Sequence, residues 1–490
     1  MRRYAGLLAI AGAIFFASTA HAAPPAGAGS FVLTATSPGG TYAPTFTGNG
    51  MLGVRVPPSG QGYAAGTVPA QSELAGFYGQ VSNDPKPAND VQQRANIPTW
   101  STLTFGENGN TFAVPGPGVS GWRQSIDLHT GIVTTTARWT APDGHATDLT
   151  YQVLTDRADP FVGLVRLQFT PQWSGVATVT DAIDGTADTT ATPELTTQVT
   201  KGWNIATRQD WVTLATEGTG IQATLASQLQ VSPNVLATTT QTDQTTDQSV
   251  GQQLGFPVQS GQTYTVTKYV GIESSQDAAD TTTAAQGQAA SSAATGWDSL
   301  LAANQAAWAS LWRGWIEVRG NRTLATDVNA SQFYLWSSTR AGVDWSVSPA
   351  GLSSNGYDGH IFWDAETWMY PSLLAQHPDL AAGMNAYRFQ RLTEAEQHAT
   401  ATGYTGARFP WESALDGTEQ IPPPTSINSE GLYEQHITAD IALAQWRYYL
   451  VTADKTWLQQ QGWPVLSGAA AFWASRATLG SDGKYNINGV

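Results

Sequence analysis

Residues 131–170 read GIVTTTARWTAPDGHATDLTYQVLTDRADPFVGLVRLQFT. Three stretches within it, 131–140, 146–154 and 161–170, are rich in Val, Ile, Leu and Thr and alternate apolar with polar positions. Side chains along a strand point to opposite faces, so each stretch buries one face and wets the other. Pro142-Asp143-Gly144 separates the first two as a turn. The pattern continues outward. Residues 264–272 (YTVTKYVGI) alternate in the same way, and Asp184-Gly185 and Ser260-Gly261 mark further turns. From about 30 to 273 the chain is rich in Thr, Val, Gly and Gln. Many short strands at this spacing predict a sandwich of antiparallel β-sheets, and a closed barrel satisfies the same pattern.

Near residue 276 the pattern changes. Residues 277–294 are rich in Ala, Gln and Ser, and read as a helix or a flexible linker. Residues 297–315 place Leu300, Leu301, Ala306, Trp308, Leu311, Trp312 and Trp315 closer to helical than to strand spacing. These two segments read as a connector between domains, with a short strand at 315–319. Beyond them the spacing predicts helices at 324–340, 363–376, 380–399, 430–452 and 456–476, with Ser429 and Asp454 as N-caps of the last two. Two long loops, 341–362 and 402–429, interrupt the helices. Long loops on a helical scaffold are common places for binding groups.

At the amino terminus, Arg2 and Arg3 precede an apolar run to about Ala17, and Ala20-His21-Ala22 has the small-x-small form of a signal-peptide cleavage site. The run is shorter than the roughly 20 residues a spanning helix needs, and no later segment is apolar enough to span. The chain is therefore expected to be secreted after cleavage near Ala22. The partition becomes a signal peptide at 1–22, a β-sandwich at 23–275, a helical linker at 276–318 and a helical domain at 319–490. The 490 residues contain no cysteine, so stability comes from packing alone. The net charge is −15, or −17 without Arg2 and Arg3, which repels rather than recruits nucleic acid. The 19 tryptophans are more telling, because large aromatic faces suit the C–H faces of sugar rings.

The two long loops carry the distinctive strings. Residues 351–371 read GLSSNGYDGHIFWDAETWMYP, and 403–414 read GYTGARFPWESA. Residues 48–57 (GNGMLGVRVP), 74–78 (LAGFY) and 97–102 (IPTWST) accompany them in the sheet region. Together these strings resemble glycoside hydrolase family 65, which includes acid trehalases and the maltose, trehalose and kojibiose phosphorylases. The resemblance runs from about Phe31 to Val490. It implies a multidomain protein: an N-terminal antiparallel β-sandwich, a helical linker, an (α/α)6 barrel and a small C-terminal β domain. It also implies that the chain holds only the first part of the barrel, that it ends before the Pro-Asp-Glu-type motif bearing the general acid, and that it is inactive by itself. Both catalytic carboxylates are thus expected beyond Val490. The resemblance sets Trp363 and Asp364 against a glucose ring, with Trp411 and Glu412 as the second sugar-contacting pair.

The chemistry of these residues agrees with that placement. Inverting cleavage uses an acid and a base roughly 6.5–9.5 Å apart. Asp364 and Glu366 make a poor pair, because helical residues two apart do not face each other. Asp364 can instead accept bidentate hydrogen bonds from two sugar hydroxyls; the competing reading has it capping or salt-bridging a helix start. Trp411 offers a stacking face and an N–H donor, and Glu412 accepts from hydroxyls. Arg408 and His360 read as structural. His436 and Asp440, four apart, read as a local pair. No zinc motif or phosphate-binding loop is present, so neither metal nor cofactor is expected. The expected partner is a small oligosaccharide, with homodimer formation left open. The leading expectation is secreted hydrolysis of α,α-trehalose with inversion. The alternatives are a hydrolase or phosphorylase of kojibiose, nigerose, maltose or another α-glucoside, and a sugar-binding protein without catalysis.

Overall fold

The computed structural model describes residues 28–40, 42–62, 72–80, 91–185, 196–232, 237–242, 248–421 and 430–489. The signal peptide read at 1–22 and the cap read at Ser429 lie outside them.

The alternation in 131–170 becomes three adjacent strands, Ile132–Thr140, Ala146–Thr155 and Val162–Pro171, each burying every second side chain over most of its length. Gly144, at φ 90°, makes the first reversal, a conformation that favours glycine. Tyr151 sits opposite both Thr135 and Leu167. These strands belong to a nine-stranded antiparallel sheet running from Val32–Ala35 at one edge to Thr196–Asn204 at the other. A five-stranded sheet, which includes Thr99–Glu107, Gly175–Asp184 and Val250–Val258, faces it. Phe169 of the large sheet packs on Phe105 and Phe256 of the small one, with ring centroids 4.8 and 5.9 Å apart. A further four-stranded antiparallel sheet, Thr45–Gly48, Leu52–Val56, Ser72–Gln80 and Gln92–Asn96, lies toward the helical region.

One polar cluster is sealed between the two facing sheets. Lys268, on Tyr264–Ser274, meets Asp181, on Gly175–Asp184, at 2.5 Å, with both side chains fully buried. The ammonium also donates to the carbonyl of Ala182 at 2.8 Å. Ser227 bonds to Asp181 at 2.6 Å and also contacts Asp210. Burial, and next the neighbouring Asp181 charge, push the Asp210 carboxyl well above the usual range. One ammonium facing two carboxyls thus balances a single negative charge.

The Ala-rich segment forms helix α1 (Thr281–Thr295), capped by Asp280, and it buries Thr281, Ala285, Ala289, Ser292 and Ala293. Its small face lies on Ala226 of the large sheet. A Cβ on Gly271 would sit 2.2 Å from the Ala285 carbonyl, so glycine permits this approach. Helix α2 (Trp297–Leu311) follows. Its Trp308 stacks on Phe333 of α3 (Arg322–Ser337) at 4.8 Å, tying the connector to the helical region. No strand forms at residues 315–319. The Ile316 N–H is taken by the Gln332 side chain at 2.6 Å, and the Ile316 carbonyl accepts from the same amide, so that backbone has no need of a ladder partner.

Helices α4 (Tyr370–Gln376), α5 (Pro378–Gln390), α6 (Leu392–Ala401), α7 (Glu430–Tyr433), α8 (Ile437–Thr452), α9 (Lys455–Trp457) and α10 (Trp463–Arg476) complete the described helical region. The helix expected over 380–399 breaks at Arg391. Its guanidinium donates to the Leu415 carbonyl at 2.6 Å and lies 3.9 Å from the Tyr387 ring; this long-range grip outweighs local helical preference. The helices expected over 363–376 and 456–476 contain π-turns at Ala365–Met369 and Leu458–Gly462. Asp454 caps as expected, accepting from the Trp457 N–H at 2.9 Å.

Leu443, Trp446, Leu450 and Val451 leave one side of α8 apolar and exposed. Such a stripe favours association. The 490-residue chain is expected to bind a hydrophobic dye and to elute early in size-exclusion chromatography, with both effects reduced in Leu443→Lys/Leu450→Lys.

Candidate carbohydrate site

The loop before α4 rests on the four-stranded sheet. Arg94 pairs with Glu73 at 2.8 Å and donates to the carbonyls of Gly351 at 2.8 Å and Ser354 at 2.5 Å. Tyr78 donates to the Gly359 carbonyl at 2.7 Å. Gly359 has φ 72°, and a Cβ there would lie 2.6 Å from Arg94 Cβ, so the loop crosses the arginine only as glycine. The sheet domain thus supports the site as well as preceding it in sequence.

The two long loops meet through a β-bridge. The Ile361 N–H donates to the Ser413 carbonyl at 2.7 Å, and the Ser413 N–H returns to Ile361 at 3.1 Å. Trp363 and Trp411 follow and precede this bridge by two residues. Their ring centroids lie 6.4 Å apart at 33°, and both side chains are partly exposed. His436, just before α8, presents its ring edgewise to both, at 4.7 Å from Trp363 and 5.5 Å from Trp411. Its Nδ1 bonds to Asp440 at 2.8 Å, the local pair expected from their spacing. Trp368 is exposed and packs on Trp363 at 5.7 Å, and Tyr357 is exposed too, so neither is a core residue.

The carboxylates around this aromatic pair have distinct surroundings. Glu366 is buried and forms a bidentate pair with Arg388, at 2.8 and 3.0 Å, which pins the π-turn. Asp364 opens that turn without a side-chain capping bond, and among the described residues its partly exposed carboxylate has no hydrogen-bond or ion-pair partner. His360 Nδ1 lies 2.7 Å from a Glu412 carboxyl oxygen, and the other ring nitrogen of His360 bonds to the Gln92 carbonyl. His360 is thus a buried strut between the sheet domain and Glu412. Arg408 donates to the Gly431 and Leu432 carbonyls at 2.8 and 3.0 Å, the structural role expected for it.

Glu419 was not singled out from the sequence, where nothing in DGTEQ marks it. One oxygen accepts the Trp411 N–H at 2.8 Å and the other the Glu412 N–H at 3.0 Å. Burial raises this carboxyl to about 7; the backbone donors pull it down, and the nearby Glu412 charge pushes it up. Because the folded value exceeds the unfolded one, this group's stabilising contribution is full below about 4.5 and disappears as pH rises through 7. Glu419→Gln places an amide NH2 against a backbone N–H. Thermal and urea unfolding should show a loss of about 1–3 kcal/mol and a flatter pH dependence than the unmutated chain over that window.

A paired tryptophan face, a carboxylate open to accept hydroxyls and a second carboxylate held by a histidine suit the C–H face and hydroxyls of a sugar ring. They sit on a helical region behind an antiparallel sheet domain, and the two domains together match a family of glycoside hydrolases. The chain belongs to glycosyl hydrolase family 65: residues 40–311 match the family's N-terminal domain and residues 332–490 its central catalytic domain. It is 46% identical over 195 residues to a kojibiose hydrolase of Mucilaginibacter mallensis, covering 40% of this chain and 28% of that protein. It is 42% identical over 234 residues to a kojibiose hydrolase of Flavobacterium johnsoniae, covering 48% and 34% respectively. The aligned stretches therefore span about a third or less of these relatives. A solved human-microbiome protein assigned as a kojibiose phosphorylase superposes with a TM-score of 0.80 at 15% identity, over 94% of this chain and 61% of that one. At that identity the likeness concerns the fold alone.

Proposed function

We propose that the protein hydrolyses the bond of a terminal α-glucosyl unit in a small glucoside, and that kojibiose is its substrate ahead of trehalose. The observation that carries this reading is the meeting of Trp363 with Trp411 at 6.4 Å, next to Asp364, whose carboxylate has no partner among the described residues. The two indoles offer an apolar wall for the sugar's C–H face. Asp364 accepts from two adjacent hydroxyls, and Glu412, held by His360, accepts from others. Their work is to grip and orient the ring, which lowers the entropy cost of reaching the transition state. Proton transfer falls to an acid and a base outside this set, in the inverting geometry. The kojibiose hydrolases among the relatives favour that disaccharide over the trehalose expected from the sequence motifs.

The test incubates the protein with kojibiose, nigerose, maltose and trehalose, with and without phosphate. The reading expects glucose from kojibiose at a rate indifferent to phosphate. Phosphate-dependent release of glucose 1-phosphate would replace hydrolysis with phosphorolysis. Saturable binding without turnover would make it a sugar-binding protein. We also propose export, from Arg2-Arg3, the apolar run and Ala20-His21-Ala22; amino-terminal sequencing of the mature protein should begin near Ala23.

A further inference from the structure

A second cluster of ligating side chains stands in the sheet domain, built from residues that the sugar site does not use. Glu107 ends the strand Thr99–Glu107 of the five-stranded sheet. Asp143 and His145 lie in the turn between Ile132–Thr140 and Ala146–Thr155 of the nine-stranded sheet. His145 Nδ1 is 2.6 Å from Glu107 Oε2 and 3.5 Å from Asp143 Oδ2, and one donor atom from each of the three residues lies within 4.8 Å of the others.

These groups are held in place. The His145 ring stacks on Trp173 with centroids 4.9 Å apart and planes 5° apart. The Asn108 amide donates to Asp143 Oδ2 at 2.9 Å, and the His145 N–H donates to Asp143 Oδ1 at 3.2 Å. Independently of the clustering, the Glu107 side chain is only 1% exposed, yet among the described residues its Oε1 has no hydrogen-bond partner. A buried carboxylate oxygen without a donor is costly. A cation bound by the Glu107 carboxylate offsets that cost.

We propose that Glu107, Asp143 and His145 bind one divalent transition ion of the zinc class, clipping the two facing sheets together at this end. One imidazole nitrogen with carboxylate oxygens suits zinc, and a water can complete the tetrahedron. Bond lengths of about 2.0–2.2 Å put neighbouring donors in a tetrahedral zinc site roughly 3.4 Å apart. The His145–Asp143 separation already has that value, and the His145–Glu107 contact opens by under about 1 Å on binding. The ion's role is structural. It joins two turns from different sheets, and it stabilises the fold because it binds the folded state and not the unfolded one.

The experiment titrates Zn2+ into untagged, chelator-treated protein by calorimetry, follows Co2+ by its visible absorption, and records the melting temperature with and without Zn2+. The result expected is one equivalent bound, with a nitrogen–oxygen Co2+ spectrum and a Zn2+-dependent rise in melting temperature. His145→Ala and Asp143→Asn should each weaken binding at least about tenfold and remove that rise. Asp143 is near the surface, so Asp143→Asn serves should His145→Ala fail to fold. Absence of saturable Zn2+ binding by the unmutated protein would overturn the proposal. So would a stoichiometry and affinity unchanged in Asp143→Asn, which would place the ion elsewhere.

Discussion

Lys268→Met is expected to destabilise the sheet domain by about 3–5 kcal/mol, the range for removing one partner of a buried ion pair. Lys268 is fully buried, with Asp181 at 2.5 Å and the Ala182 carbonyl at 2.8 Å. Methionine fills most of the volume but leaves a carboxylate charge sealed between two sheets. Asp210 gives no relief, since burial already keeps its own carboxyl well above the usual range. The loss should shrink as pH falls, because a proton then replaces the missing ammonium. Lys268→Met/Asp181→Asn should recover much of the loss, since it removes both charges together. Urea unfolding of the single and double variants at pH 7 and pH 5 checks all three points. A Lys268→Met chain as stable as its parent at pH 7 would mean that water reaches the cluster.

Asp364→Asn is expected to lower kcat/KM of the protein on its glucoside by roughly 10²–10⁴-fold. Each hydrogen bond to a charged group contributes about 1.5–3 kcal/mol, Asp364 has two oxygens to offer, and about 1.4 kcal/mol corresponds to a factor of ten. The variant keeps the shape but loses the charge and one acceptor. Its melting temperature should change little, because Asp364 makes no capping bond and, among the described residues, no ion pair. Glu366→Gln should behave in the opposite sense, since Glu366 is buried in a bidentate pair with Arg388. That variant should lose stability first, and activity as a consequence. The melting temperature and kcat/KM of the two variants, measured side by side, separate gripping from scaffolding.

Much of the sheet domain was legible because its signal is local. The period-two pattern of residues 131–170 maps strand by strand onto alternating burial. The helical stretches were legible for the same reason, but their interruptions were not. Arg391 ends a helix because of carbonyls at Ala414 and Leu415 and the Tyr387 ring, and no window around residue 391 contains that loop. The short strand expected at residues 315–319 failed in the same way, its hydrogen bonds being taken by Gln332.

The site divides along the same line. Trp363, Asp364, Trp411 and Glu412 could be named from two motifs. The bridge that joins them, Ile361 to Ser413, is long-range. So are the supports: Arg94 and Tyr78 under the first loop, and Gln92 behind His360. Glu419 lies only seven residues beyond Glu412, yet it acts on backbone N–H groups, which carry no residue-type signature. His436 was read as Asp440's partner alone. Its place against both tryptophans comes from where α8 begins in space.

That one glucosyl ring lies against Trp363 and Trp411 and bonds to Asp364 is open to a direct measurement that needs no turnover: saturation-transfer NMR on the 490-residue chain with glucose, using Asp364→Asn and Trp411→Ala as comparisons. Magnetisation should reach the C–H protons of glucose with the unmutated chain, and should fall to background with either variant while their folded spectra persist. Equal transfer from all three proteins, or none from the unmutated chain at saturating glucose, would contradict the account.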